Sequence, residues 1–197
     1  AYGPPDHAVI CVDDQWGRRL AEQVPNAVTV STTGPADWRA LDATSLQGGQ
    51  SFTVHTPDGR QVPVTLALPG AFNIANALVA LACLDAVGVP IEIAAQRFAN
   101  VSVPGRMQRI DLGQPYLAIV DYAHKPGAVA ALLDALRPQV AGRLLVVLGA
   151  GGERDAGKRP LMGAAAAARA DVVLVTDDNP RGEDPAAIRS AVLAGAR

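Results

Sequence analysis

From residue 116 to its end the chain keeps a rhythm that few folds can accommodate. Short apolar runs alternate with helix-compatible stretches: strand 116–120, helix 127–137, strand 143–148, helix 160–170, strand 172–176 and helix 185–195. Two parallel strands cannot be joined by a tight turn. They need a crossover of a dozen or more residues, which a helix supplies. Alternation at this spacing predicts an α/β fold with a parallel, doubly wound sheet and helices on both faces. In such sheets ligands bind at the carboxyl ends of the strands. Three polar stretches fall there: DYAHKP (121–126), GAGGERDAGKRP (149–160) and DDNPR (177–181).

The first half reads differently. Ala8 to Val12 is a short apolar strand, and QWGRRLAEQV then sets Trp16, Leu20 and Val24 on one helical face. Ala27 to Val30 reads as another strand. SFTVH, TPDG and RQVPVTLAL form a hairpin over 50–68, with Asp58-Gly59 placed to supply the positive φ of a tight turn. After Pro69-Gly70 a helix of about five turns runs to Gly88, which sits as a C-terminal cap ahead of Pro90. A shorter helix is expected within 90–100. VSVPGRMQ (101–108) has the punctuation of a boundary, dividing the chain into domains 1–105 and 106–197.

Composition narrows the function classes. With 49% hydrophobic, 18% charged and only 4% aromatic residues, the core must be built from Ala, Val, Leu and Ile. A formal charge of -2 offers no basic field for nucleic acid or an anionic membrane. The longest apolar run, Ala77 to Leu84, is too short to span a bilayer. Cys11 and Cys83 lie in apolar segments without ligand spacing and read as reduced core residues in a reducing, cytoplasmic compartment. The three histidines, His7, His55 and His124, are far apart in sequence, which argues against a metal cluster. The chain carries 15 Arg but two Lys, Lys125 and Lys158, and both fall in the polar stretches at strand ends. The first residue is Ala, not Met, so a segment upstream is expected.

Each polar stretch admits more than one reading. Gly152, Gly157 and Lys158 match most of a phosphate-binding loop. Arg159, however, stands where the magnesium-holding hydroxyl belongs, and Glu153 and Asp155 would face phosphate oxygens. A plain glycine-rich turn, or an acid-binding loop with Arg154 as planar donor, are the other readings. Asp121 follows an apolar strand, where a carboxylate can accept ribose hydroxyls or cap the next helix. Asn73 and Asn76 lie on the first turn of the apolar helix. An amide there can pair with an adenine edge, and Asn73 can equally cap the helix. Arg106 follows Pro104-Gly105 as part of a hinge or as a solvated charge. Asp178, Asn179, Pro180 and Arg181 end an apolar, buried-looking strand in fixed polar groups, a costly loop unless something binds there.

Taken together, LPGAFNIANALVALA, VPGRM, VDYAHKP, GAGGERDAGKRPLMG and VTDDNPRGEDP resemble the Mur ligases, and within them the type that adds meso-diaminopimelate. The resemblance runs over nearly the whole chain, and DNPR is its most specific piece. It implies a C-terminal Rossmann-like sheet joined to the end of a central ATPase domain with a β-hairpin. It implies ATP-dependent amide formation on UDP-N-acetylmuramoyl-L-alanyl-D-glutamate for peptidoglycan synthesis, with ATP and Mg2+ as cofactors and small molecules as the only partners. Asn73, Asn76, Arg106 and Asp121 would contact ATP. Arg154, Asp178, Asn179, Pro180 and Arg181 would take diaminopimelate, with His124, Lys125 and Lys158 as further contacts.

The family's GGDRD is GGERD here, a mild change. Its UDP-binding domain, triphosphate loop and metal ligands would lie upstream of Ala1, and its GKGHE stretch beyond Arg197. On that basis the chain is expected to be a fragment, inactive alone, with no metal ligands and no catalytic residues of its own, and to self-associate through exposed apolar surface. Competing readings are another ligase of the superfamily, such as folylpolyglutamate synthetase, and a non-catalytic Rossmann-like binding module.

Overall fold

Two units divide the chain in a computed structural model that describes residues 8–46 and 48–197: one ends at Ala118, the other begins at Ile119. His7 lies outside the described residues.

The first unit is built on a five-stranded sheet. Its strands are β1 (Val9–Cys11), β2 (Val28–Ser31), β3 (Trp38–Leu46), β4 (Gly49–His55) and β5 (Gln61–Leu66), neighbours in that order. β1–β2 and β2–β3 pair in parallel, the rest antiparallel. The β4–β5 hairpin is as expected. Phe52 faces Val64 and Val54 faces Val62, and all four are buried, so alternate positions supply one apolar face. Its turn is wider than a two-residue one: the Thr56 N–H donates to the Arg60 carbonyl, and Gly59 alone takes positive φ, at 86°.

Helix α2 (Ala71–Ala86) covers this sheet. Ile74, Ala77, Leu78, Leu81 and Ala82 recur at helical spacing and are all buried. Each fully buried leucine contributes about 1.5–3 kcal/mol. The helix stops where Gly88 turns left-handed, φ 84°, and the Val89 N–H closes on the Leu84 carbonyl. Helix α3 (Ile91–Arg97) follows and ends in a 3-10 turn.

One expectation differs here, and two features lay outside it. Helix α1 (Gln15–Gln23) forms, but Trp16 and Leu20 are 67% and 50% exposed and no residue of the helix is buried. Cys83 falls on the outer side of α2 and is exposed, not in the core, while Cys11 is half-buried. Strand β3 was not expected: its pairing slips between Leu41 and Thr44, with Asp42 at φ 55°, which breaks the alternation a strand would show.

One carboxylate ties the parallel strands together. Asp13, just past β1, accepts from the Ser31, Thr32 and Thr33 hydroxyls and from the Thr32 and Thr33 amides. Burial alone would raise its pKa, but these donors together hold it at about 2.

β6 (Gln108–Ile110) and β7 (Ala118–Val120) are the short strands where the chain passes from the first unit to the second. The second unit then runs α4 (Pro126–Leu136), β8 (Leu145–Leu148), α5 (Lys158–Ala167), β9 (Val172–Val175) and α6 (Pro185–Gly195), close to the expected rhythm. β8 and β9 are parallel, Leu145 beside Val172 and Leu148 beside Val175. Helix α4 packs on α5 and α5 on α6, and α5 and α6 both touch β9. Val129, Leu133, Met162, Ala166, Ile188 and Val192 fill the space between.

Paired residues of parallel strands face the same way. Leu145, Val147 and Leu174 therefore form one apolar face, and each is more than half exposed. The parallel pairing and helical crossovers match the expectation. Among the described residues the helices cover one side of β8 and β9, not both.

Candidate functional site

β8 ends at Leu148 and β9 at Val175, so the loops that follow, 149–157 and 176–184, emerge side by side from a parallel pair. They interlock through their backbones. The Gly152 N–H donates to the Asn179 carbonyl at 3.1 Å, and the Gly182 N–H donates to Glu153 Oε1 at 3.2 Å. The approach is so close that a Cβ on Gly152 would stand 1.9 Å from the Pro180 carbonyl oxygen. Glycine at 152 is thus demanded by the neighbouring loop.

Two predicted arginines meet over this junction. A Cβ on Gly151 would lie 2.9 Å from Arg181 Nη1 and 3.9 Å from Arg154 Cγ, so both side chains flank the same glycine. Arg181 Nη1 donates to the Gly152 carbonyl at 2.6 Å, and Arg154 Nη1 makes only a marginal 3.5 Å contact with the Glu153 carbonyl. Among the described residues neither guanidinium has a carboxylate within ion-pair distance, and both residues are exposed. Asp178 and Asn179 are exposed beside them, and Asn179 and Arg181 hold left-handed φ values of 42° and 52°. Asp177 is engaged by Arg189. Two planar donors on one rim, neither matched to a carboxylate among the described residues, are suited to a ligand with carboxylates.

The third polar stretch contributes its backbone. Asp121 Oδ1 accepts the Ala123 N–H at 2.8 Å, a local turn. Helix α4 opens at Pro126 with Lys125 at its N-cap and no side-chain bond to the cap, so capping by Asp121 is not seen. Lys158 Nζ donates to the His124 carbonyl at 2.8 Å, tying the start of α5 to this stretch. His124 is exposed, its ring 4.8 Å from that of Tyr122 and its Nδ1 3.0 Å from the Tyr122 carbonyl.

The remaining predicted residues belong to the first unit. Asn73 is buried, and its Nδ2 donates to the Pro69 carbonyl at 2.8 Å. Its Oδ1 accepts from Asn76 Nδ2 at 3.2 Å. Gly70, at φ 97°, is the N-cap of α2, so Asn73 acts from inside the first turn and not as the cap. Arg106 is exposed beside the 103–106 turn, where its N–H donates to the Val103 carbonyl at 3.0 Å.

Three positioning groups escaped the sequence reading. Buried Gln50 donates from Nε2 to the carbonyls of Leu68 (2.8 Å) and Gly70 (2.9 Å), fixing the turn that launches α2. Arg159, 5% exposed, pairs with Glu183 at 2.8 Å. The only signal for that pair was Arg159 itself, standing where a phosphate loop would need a hydroxyl. No group of three or more His, Cys, Asp or Glu among the described residues is arranged to hold a metal ion. No helix among them is long and apolar enough to cross a membrane.

Comparison with known proteins gives the same pattern at both ends of the chain. Residues 105–197 match the model of the Mur ligase glutamate ligase domain, and residues 2–84 match that of the Mur ligase middle domain. The UDP-N-acetylmuramoyl-L-alanyl-D-glutamate--2,6-diaminopimelate ligase of Corynebacterium efficiens is 61% identical over 194 residues, covering 98% of this chain and 37% of that protein. A solved structure of a ligase of the same name is 35% identical with a TM-score of 0.59, over 96% of this chain and 40% of that one. The ADP-complexed folylpolyglutamate synthase of Mycobacterium tuberculosis is 28% identical with a TM-score of 0.76, over 100% of this chain and 44% of its own. The chain therefore spans less than half the length of these relatives.

Proposed function

This chain belongs to the Mur ligase family, and from that premise we propose that it is a portion of an ATP-dependent ligase that joins meso-diaminopimelate to UDP-N-acetylmuramoyl-L-alanyl-D-glutamate in the cytoplasm. The supporting observation is that Arg154 and Arg181, whose side chains flank Gly151 at the ends of β8 and β9, have no carboxylate within ion-pair distance among the described residues. Diaminopimelate differs from lysine by one further carboxylate. An Arg–carboxylate pair is charge-assisted and contributes roughly 1.5–3 kcal/mol. Arg181 takes that distal group and Arg154 the other carboxylate, while Asp178, Asn179 and Pro180 shape the pocket wall. Lysine would leave Arg181 without its carboxylate partner, a mismatch that sites built to pair a substrate group can reject by about 10⁴-fold.

In the same reading the Asn76 carbonyl accepts from the adenine amine with Asn73 holding it in place, Asp121 takes the ribose and Arg106 reaches the nucleotide. His124, Lys125 and Lys158 line the neighbouring stretch. When bound, ATP supplies the phosphoryl group that activates the acceptor carboxylate. Mg2+ belongs to the reading through family membership alone. The described residues offer it no site, and no step is assigned to this chain through it. The likeness to an ADP-complexed folylpolyglutamate synthase favours a second reading with the same nucleotide contacts and a different amino acid.

The test is Arg181→Ala in the full-length enzyme, assayed with diaminopimelate, lysine, D-alanine and glutamate. Loss of the diaminopimelate-over-lysine preference is expected. An unchanged preference removes the assignment, and turnover of glutamate in place of diaminopimelate selects the second reading.

A further inference from the structure

Arg181 and Asn179 hold left-handed backbone angles, and Glu153 opposite them does the same at φ 53°. For residues with a Cβ that region brings side chain and carbonyl into conflict, and a loop keeps such angles only where its surroundings over-determine them. The surroundings here centre on one ion pair. Arg159, on the first turn of α5 and 5% exposed, donates from Nη2 to Glu183 Oε1 at 2.8 Å. The same oxygen accepts the Glu153 N–H at 2.5 Å. Glu153 Oε1 accepts the Gly182 N–H in return, and the Glu183 N–H donates to the Pro180 carbonyl at 3.0 Å. Arg159 thus holds residue 183, residue 183 holds 153, and 153 holds 182, next to Arg181.

Among the described residues Arg181 bonds to the carbonyls of Gly152 and Asn179, at 2.6 and 3.5 Å. Both lie on the interlocked segments, so the direction of its guanidinium follows theirs. The Arg159 guanidinium, and after it the Glu153 amide, hold the Glu183 carboxyl below its usual range, so the pair is ionised at neutral pH. Arg159 is buried but the Glu183 side chain is 36% exposed, so the pair is only partly buried and adds little net stability. What it supplies here is one defined loop geometry.

We propose that Arg159 and Glu183 are positioning residues for amino-acid selection: they aim Arg181 without touching the ligand. The inference rests on the reading of Arg181 given above. It predicts an effect confined to one substrate.

The experiment is steady-state kinetics on the full-length enzyme with diaminopimelate, lysine and ATP. Glu183→Gln keeps shape and an acceptor oxygen but loses the charge. It should raise KM for diaminopimelate about 10-fold, with kcat and KM for ATP within about 3-fold of wild type. Glu183→Ala should raise it about 100-fold and erase the preference over lysine. Because Glu183 acts through Arg181, the Arg181→Ala/Glu183→Ala double variant should discriminate no worse than Arg181→Ala alone.

An unchanged KM for diaminopimelate in Glu183→Gln and Glu183→Ala overturns the proposal. So does an equal loss toward all substrates in Glu183→Gln, or additivity in the double variant. If Arg181→Ala itself leaves the preference intact, the functional reading falls and this inference with it. If Arg181→Ala erases the preference while the Glu183 variants retain it, only the positioning role is lost.

Discussion

Adding one methyl group at residue 152 should disable amino-acid binding while leaving the nucleotide side intact. A Cβ there would stand 1.9 Å from the Pro180 carbonyl oxygen and 2.6 Å from its carbon, both backbone atoms that no rotamer change can move. Bringing the first contact to the shortest separation that real Cβ atoms show requires the two loops to part by about 1 Å, and a 1 Å misplacement of a binding group costs about 10²-fold in rate. That corresponds to about 2.7 kcal/mol of transition-state stabilisation.

The backbone of Gly152 is not left-handed, so alanine meets no torsional obstacle and the clash acts alone. The same residue donates to Asn179 and accepts from Arg181, so separation of the loops displaces the guanidinium directly. The assay is kcat/KM for diaminopimelate and for ATP in the full-length Gly152→Ala enzyme. Gly142→Ala serves as control, since a Cβ at 142 meets nothing within 4 Å. A Gly152→Ala enzyme within about threefold of wild type toward diaminopimelate would refute both the loop contact and its role.

Two further outcomes concern the chain itself. Asp13→Asn should lower the stability of the first unit by about 1 kcal/mol at pH 7, because the carboxylate sits at about 2 against 3.8 when unfolded and solvent screens part of that difference. A depressed pKa stabilises above the unfolded value and is lost as pH falls through the folded one. The gap between wild type and variant, followed by Trp38 fluorescence in urea, should therefore close between pH 4 and 2. An equal gap at pH 7 and at the acid end would remove the carboxylate from that account. Separately, the 197-residue chain should self-associate through Leu145, Val147 and Leu174, and Val147→Lys should shift it toward monomer in sedimentation velocity. Identical sedimentation of the two would clear that face.

Local periodicity carried much of the architecture. The 74, 77, 78, 81, 82 stripe of α2, the alternation of β4 and β5, and the order of elements in the second unit follow from which residues must be apolar along a helix or strand. The types of residue at the candidate site were legible for a related reason, since polar groups at the ends of apolar strands are costly unless used. Strand β3 was hidden by its bulge at Asp42. Cys83 was misread as a core residue because an apolar run does not say which side of the helix is covered, and the exposed face of α1 shows the same limit.

Partnership is what the linear chain could not express. Asp13 finds its donors 18 to 20 residues away, Arg159 finds Glu183 at a distance of 24, and Gly152 is glycine because of a carbonyl at residue 180. Each of these depends on two strand ends arriving side by side. Short-range pattern fixes the strands and helices. The approach of two loops, and so the direction of Arg181, arises when the strands pair and the backbone hydrogen bonds of one loop are met by the other.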